Sequence, residues 1–195
     1  MEPQKNQYRF PIRRPCFVTG SYIDPDAHRW CRNSEFAMDI GLPASNGMLD
    51  VNAILGEPVY AAADGVILRA FGRVQDGETD PEYLERQYGN DVRIDGNHVI
   101  LEHIQGECSL YAHLQRLSRP WKSGEPVRCG ELLGYAGSTG HSSCPHLHFH
   151  VFQKQGSFGP SVPVLFYDLL DIYGDPLNRV IRDDSLVFPQ DLRPV

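Results

Sequence analysis

The sequence predicts a mainly β domain, built as a sandwich or barrel-like stack of short antiparallel strands. Three features point there. Short apolar runs recur along the chain, each bounded by glycine, proline or Asx residues. Helical periodicity is nearly absent outside one stretch. The segment Pro145-His-Leu-His-Phe-His150 alternates imidazoles with apolar side chains, the period-two pattern of a strand with one face in the core. At 195 residues the chain can bury one substantial core, and one domain is expected. Apolar residues make up 41% and charged residues 22%, globular proportions that exclude a disordered chain. No apolar run approaches a membrane span, so no transmembrane segment is expected. A net charge of −7 argues against a nucleic-acid backbone as principal partner.

Taken in order, residues 1–30 are rich in proline, arginine and aromatics without sustained periodicity, and read as an irregular N-terminal arm. They carry cationic residues but no apolar h-region, so no signal peptide is expected in this chain. The domain proper is read as 31–156. Its first core segment is Glu35-Phe-Ala-Met-Asp-Ile-Gly41, followed by a polar loop. Two β-rich runs, 57–63 and 66–71, are divided by Asp64-Gly65, a turn signal. The polar, acidic stretch 72–95 reads as an insertion. Within it Pro81-Glu-Tyr-Leu-Glu-Arg-Gln-Tyr88 is the best candidate for a short surface helix. The runs 97–103 and 108–114, joined through Gln-Gly-Glu, read as a hairpin. Two short glycine-bounded segments follow at 126–130 and 132–136, and Gly137-Ser-Thr-Gly140 is a small-residue loop before the histidine strand. Residues 157–195 return to proline-rich segments and are expected to pack on the domain as an extension.

The chemistry is concentrated in few residues. On a strand, His146, His148 and His150 stand in a row opposite Leu147, Phe149 and Val151. Neutral imidazole is a common metal ligand and also the side chain that titrates nearest neutrality, so same-face histidines can hold a metal and move a proton in one site. Asp39 and His113 lie on two further strand-like runs. The five cysteines, 16, 31, 108, 129 and 144, include no CxxC pair, and an odd number leaves at least one thiol unpaired. Buried free thiols are expected, with a Cys16–Cys31 bridge open if the chain is exported. Cys144-Pro145 reads as the turn into the histidine strand and not as a nucleophile. Ser138 and Thr139 read as turn residues, because sequence places no base beside them.

Several segments occur together in one order. They are the Asp39-Ile-Gly segment, Pro-Val-x-Ala-Ala-x-Asp-Gly-Val at 58–66, and Gly-Asn-x-Val-Ile-Leu-x-His at 96–103. Tyr111-Ala-His-Leu, Val-x-x-Gly-x-x-x-Gly at 127–134, Gly-Ser-Thr-Gly, and Pro145-His-Leu-His-Phe follow. Together they resemble the lysostaphin-type, or LytM-like, zinc metallopeptidases. The resemblance implies a duplicated-hybrid-motif β fold with a groove, one zinc ion per chain, and hydrolysis of peptide bonds in the stem peptides or cross-bridges of peptidoglycan. It implies Asp39 and His148 as zinc ligands, with His113 and His146 acting on the water. Zinc lowers the pKa of a water from about 15.7 toward 7, while one free histidine accepts its proton and another stabilises the oxyanion.

The sequence departs from that pattern at the third ligand. The usual histidine four residues before the aspartate is replaced by Glu35. If 35, 37 and 39 share a strand face, Glu35 reaches the metal; alternatively His28 swings in from the arm. Both stand as candidates. His150, where the family more often has an acidic residue, is expected to be an exposed strand residue, and His103 to hydrogen-bond near the groove. The competing function is a noncatalytic LytM-like domain that binds cell wall or regulates another hydrolase. Action on peptidoglycan would place the protein at the cell wall or periplasm.

Overall fold

The computed structural model describes residues 3–19, 28, 32–44, 49–156, 158–181 and 185–190. Its strands are β1 (Cys16–Thr19), β2 (Met38–Pro43), β3 (Leu49–Asp50), β4 (Pro58–Tyr60), β5 (Gly65–Phe71), β6 (Asn97–Glu102) and β7 (Glu107–Leu114). They continue as β8 (Pro126–Val127), β9 (Leu132–Tyr135), β10 (Leu147–Gln153), β11 (Ser161–Val162), β12 (Leu169–Leu170) and β13 (Ser185–Pro189). Two short helices, α1 (Pro81–Tyr88) and α2 (Asn90–Asp95), lie between β5 and β6. All strand pairings are antiparallel, and the main sheet runs β12-β13-β1-β2-β10-β7-β6-β5-β8, with β4 and β9 forming a second, two-stranded sheet. The mainly β expectation holds, and among the described residues the sheet does not close into a barrel.

The alternation in β10 divides as its sequence dictates. Leu147, Phe149 and Val151 are fully buried in the large core cluster, joining Ile40 and Tyr111 from the flanking strands. Burying each contributes about 1.5–3 kcal/mol. Part of the opposite face of the sheet is covered as well. Ile100, Leu110, Cys108, Ala112 and Phe152 form a second, smaller cluster there, with Phe158 packed on it. Strand β7 is therefore buried along its whole length, and His150 is buried against this cluster through Phe152.

Helix α1 spans the predicted residues. Asp80 caps it, its Oδ1 accepting from the Glu82 and Tyr83 N–H groups at 3.0 and 3.1 Å, and Pro81 opens it where a missing N–H is harmless. Leu84 and Val92 close with Val74 into a satellite cluster against Phe71. The arm is less irregular than its composition suggested. Residues 16–19 form β1 between β2 and β13, so both ends of the chain enter the main sheet. Four residues give too little alternation to read, and the partner strand is remote in sequence. Cys16, Cys108, Cys129 and Cys144 are free thiols; Cys31 lies outside the described residues.

Candidate metal centre

The sheet register sets the site. Thr19 pairs with Asp39, Asp39 with His148 and His148 with Ala112, so these residues lie in one row across β1, β2, β10 and β7 on one face. His148 Nδ1 is 3.1 Å from Asp39 Oδ1. His28 meets the His148 ring edge-to-face at 4.9 Å between centroids. One donor atom each from His28, Asp39 and His148 lie within 4.8 Å of one another, a spacing that a single metal ion spans.

Glu35 does not join them. Strand β2 starts at Met38, and residues 32–36 form a turn pinned by Ala37 N–H to Ser34 O and Phe36 N–H to Ser161 Oγ. The period-two argument that put 35 and 39 on one face therefore fails at the strand's edge. Glu35 is exposed and lines a cavity of about 420 Å³ with Arg32, Gln153 and Gln155, beyond the far end of β10.

His113 and His146 stand beside the trio, their ring centroids 4.6 Å apart, with His113 5.8 Å from the His148 ring. His113 reaches this face through an irregularity. Between the pairs Asn97–Leu114 and Val99–Tyr111, one residue of β6, His98, opposes two of β7, Ala112 and His113, and His113 takes up the extra residue at φ 60°, in the left-handed region. Such a backbone is costly for a histidine and persists where the surroundings fix it. They do: its Nδ1–H donates to Thr139 O at 2.8 Å. Thr139 in turn donates to Leu114 O and accepts from Asn97 N–H, both at 2.9 Å. His146 is oriented likewise, its Nδ1–H donating to Cys144 O at 2.8 Å, which leaves its Nε2 3.5 Å from Asp39 Oδ1.

These environments split the titrations. Burial alone would raise the Asp39 carboxyl, but His146, His148 and His28 outweigh it and hold it well below the usual range. His113 is pulled well down by burial and by the neighbouring imidazoles of His146 and His148. His146 is also buried, which works against its charge, yet Asp39 and the contacts to Cys144 push its pKa up.

Three further residues were not read as site residues. His150 is 4% exposed, contrary to the expectation of an exposed strand residue, and its Nδ1 lies 3.1 Å from His148 Nε2. Asp95 is buried at the end of α2, and burial raises its pKa to about 6. His98 is buried too, with Nδ1 against Gly96 O at 3.0 Å. An Asp before Gly reads as a turn, so sequence held no signal for Asp95. His103 bridges Asp64 O and Ser109 Oγ, both at 2.8 Å, and ties the Asp64-Gly65 turn to β7.

The profile of Peptidase family M23 matches residues 45–160. The chain belongs to Peptidase family M23. Among the relatives of this M23 chain, the DD-carboxypeptidase/endopeptidase Mpg of Neisseria meningitidis is 38% identical over 101 residues, 52% of this chain and 18% of Mpg. The peptidoglycan DD-endopeptidase ShyC of Vibrio cholerae is 34% identical over 100 residues, 51% of this chain and 18% of ShyC. The glycyl-glycine endopeptidase ALE-1 of Staphylococcus capitis is 35% identical over 96 residues, 49% of this chain and 21% of ALE-1. The chain thus spans about a fifth of the length of these curated relatives. The M23 match contains His113, His146 and His148; Asp39 and His28 lie before it.

Proposed function

We propose that this M23 chain is a zinc-dependent endopeptidase that hydrolyses peptide bonds in the stem peptides or cross-bridges of bacterial peptidoglycan. The convergence of His28, Asp39 and His148, with His113 and His146 beside them, carries the reading. Two imidazoles and a carboxylate match the donor sets of catalytic zinc sites, which keep a further position open. On this reading His28, and not Glu35, is the third ligand, and one zinc is held per chain. When bound, zinc supplies Lewis acidity toward a peptide carbonyl and a water. The substrate class is argued from the relatives, whose names include a peptidoglycan DD-endopeptidase and a glycyl-glycine endopeptidase.

The protein's own groups divide the proton work. His113, with Nδ1–H committed to Thr139 O and its pKa pulled down by burial, stays neutral and presents its Nε2 lone pair as the base that takes a proton from the attacking water. His146, held cationic more readily by Asp39, faces the site through Nε2 and donates to the oxygen that gains charge or to the departing amine.

Incubating zinc-loaded protein with purified sacculi should release new amino groups, while a generic peptide library stays intact. Sacculi that retain the protein without releasing amino groups would overturn the catalytic reading. In metal analysis His28→Ala, Asp39→Ala and His148→Ala should each lose zinc, and Glu35→Ala should keep it. His113→Ala should keep zinc and lose turnover by roughly 10²–10⁴-fold.

A further inference from the structure

The His148 ring is engaged at both nitrogens: Nδ1 faces Asp39 Oδ1 and Nε2 faces His150 Nδ1, each at 3.1 Å. A neutral imidazole offers one lone pair and one N–H, and the group that binds the N–H decides which nitrogen is free to ligate. We propose that His150 is a positioning residue for the metal site, its Nδ1 accepting the His148 Nε2–H and so fixing His148 in the tautomer that presents Nδ1 beside Asp39. The inference rests on the zinc reading above.

The surroundings of His150 support the assignment. Its ring stands at 86° to that of His148, with centroids 5.2 Å apart, which lets the acceptor lone pair meet the N–H while the rings stay clear of each other. On its other side lie the Phe152 ring at 5.6 Å and the cross-strand Leu110, so the contact is shut away from water. If Nδ1 accepts, the proton of His150 sits on Nε2, and Nε2 is buried without a hydrogen-bond partner among the described residues. A buried N–H left unmatched is unfavourable. Its persistence is understandable if the other nitrogen of the same ring has a task. The partner is an imidazole and not a carboxylate, so it orients His148 without adding negative charge behind the ligand.

The test is zinc affinity, measured by competition with a chromogenic chelator on the full chain, with the metal-free fold checked by circular dichroism. In His150→Asn the Oδ1 replaces Nδ1 at the same distance along the side chain, whereas His150→Gln and His150→Leu do not place an acceptor there. Affinity should fall 10–100-fold in the Gln and Leu variants and stay within about threefold of the unsubstituted chain in the Asn variant. If Leu fails to fold, the contrast between Asn and Gln decides. Equal affinity in all the variants, or an Asn variant as weak as Gln, overturns the proposal and leaves the zinc reading standing. An unsubstituted chain that binds no zinc overturns both.

Discussion

Asp95 is 7% exposed and makes no side-chain hydrogen bond or ion pair among the described residues. Burial raises its carboxyl from 3.8 to about 6, with His148 and Arg69 only partly offsetting the effect. The sign of its contribution to stability follows. Below about pH 4 both folded and unfolded chains carry the proton, and Asp95 is neutral to stability. As pH rises through 4 to 6 the unfolded chain ionises first, and stability falls by an amount approaching roughly 3 kcal/mol above pH 6. Asp95→Asn removes the titration with little change in shape. In zinc-free protein this variant should therefore be more stable than the parent at pH 7.5, with the gap closing at pH 4. A stability difference that is the same at both pH values would count against a buried ionised carboxylate. At this scale the burial of Asp95 and His150 was illegible in sequence, because burial depends on what the rest of the chain lays over a position.

The loop between β9 and β10 works as a unit with the insertion. Its 137–140 turn holds His113 through Thr139, and Glu78 O and Ile94 O of the insertion accept from Gly140 N–H and His141 N–H. No space separates the two: a Cβ on Gly140 would lie 2.3 Å from Gly96 N, and one on Gly96 2.4 Å from Thr139. Gly140 and Gly77 share φ +79°, but nothing lies within 4 Å of a Cβ at Gly77. Chemical denaturation of the two alanine variants separates backbone cost from crowding. Gly77→Ala should cost about 1–2 kcal/mol, while Gly140→Ala should cost about 3 kcal/mol or more and lower turnover by moving Thr139. Equal losses would mean that the close approach carries no weight. The glycines were readable as a turn. Their role as the contact between two distant loops was not, since that contact is made across sequence.

The ends of the chain hold the whole together. Glu107, fully buried at the start of β7, accepts from Lys5 N–H at 2.7 Å, Asn6 N–H at 3.1 Å, Asn6 Nδ2 at 2.7 Å and Tyr8 O–H at 2.9 Å. Asp168 of the C-terminal segment accepts from Phe10 N–H at 2.8 Å and pairs with Arg9 at 3.1 Å. The described part of the arm, residues 3–19, is thus tied to both the central hairpin and the C-terminal extension. Tyr8→Phe takes one donor from a buried carboxylate and should cost about 1.5–3 kcal/mol in urea unfolding, with zinc stoichiometry unchanged. Loss of zinc in that variant would mean that arm docking and metal binding are coupled more tightly than the separate contacts suggest.

By itself the sequence determined the mainly β class, helix α1, the hairpin of β6 and β7, and the face on which His146 and His148 stand. Each of these depends on local chemistry: a period of two, a capping aspartate, or glycine and proline at turns. It also singled out Asp39 and His113, through motifs whose order along the chain is itself sequence. Tertiary structure decided the rest. It set the first residue of β2 and so took Glu35 out of the row, brought His28 in from the arm, and closed a second apolar cluster over the face that holds His150. It also joined strands from both ends of the chain into the main sheet. These depend on contacts between segments far apart in sequence, and local pattern carries no record of which remote segment will cover a given face.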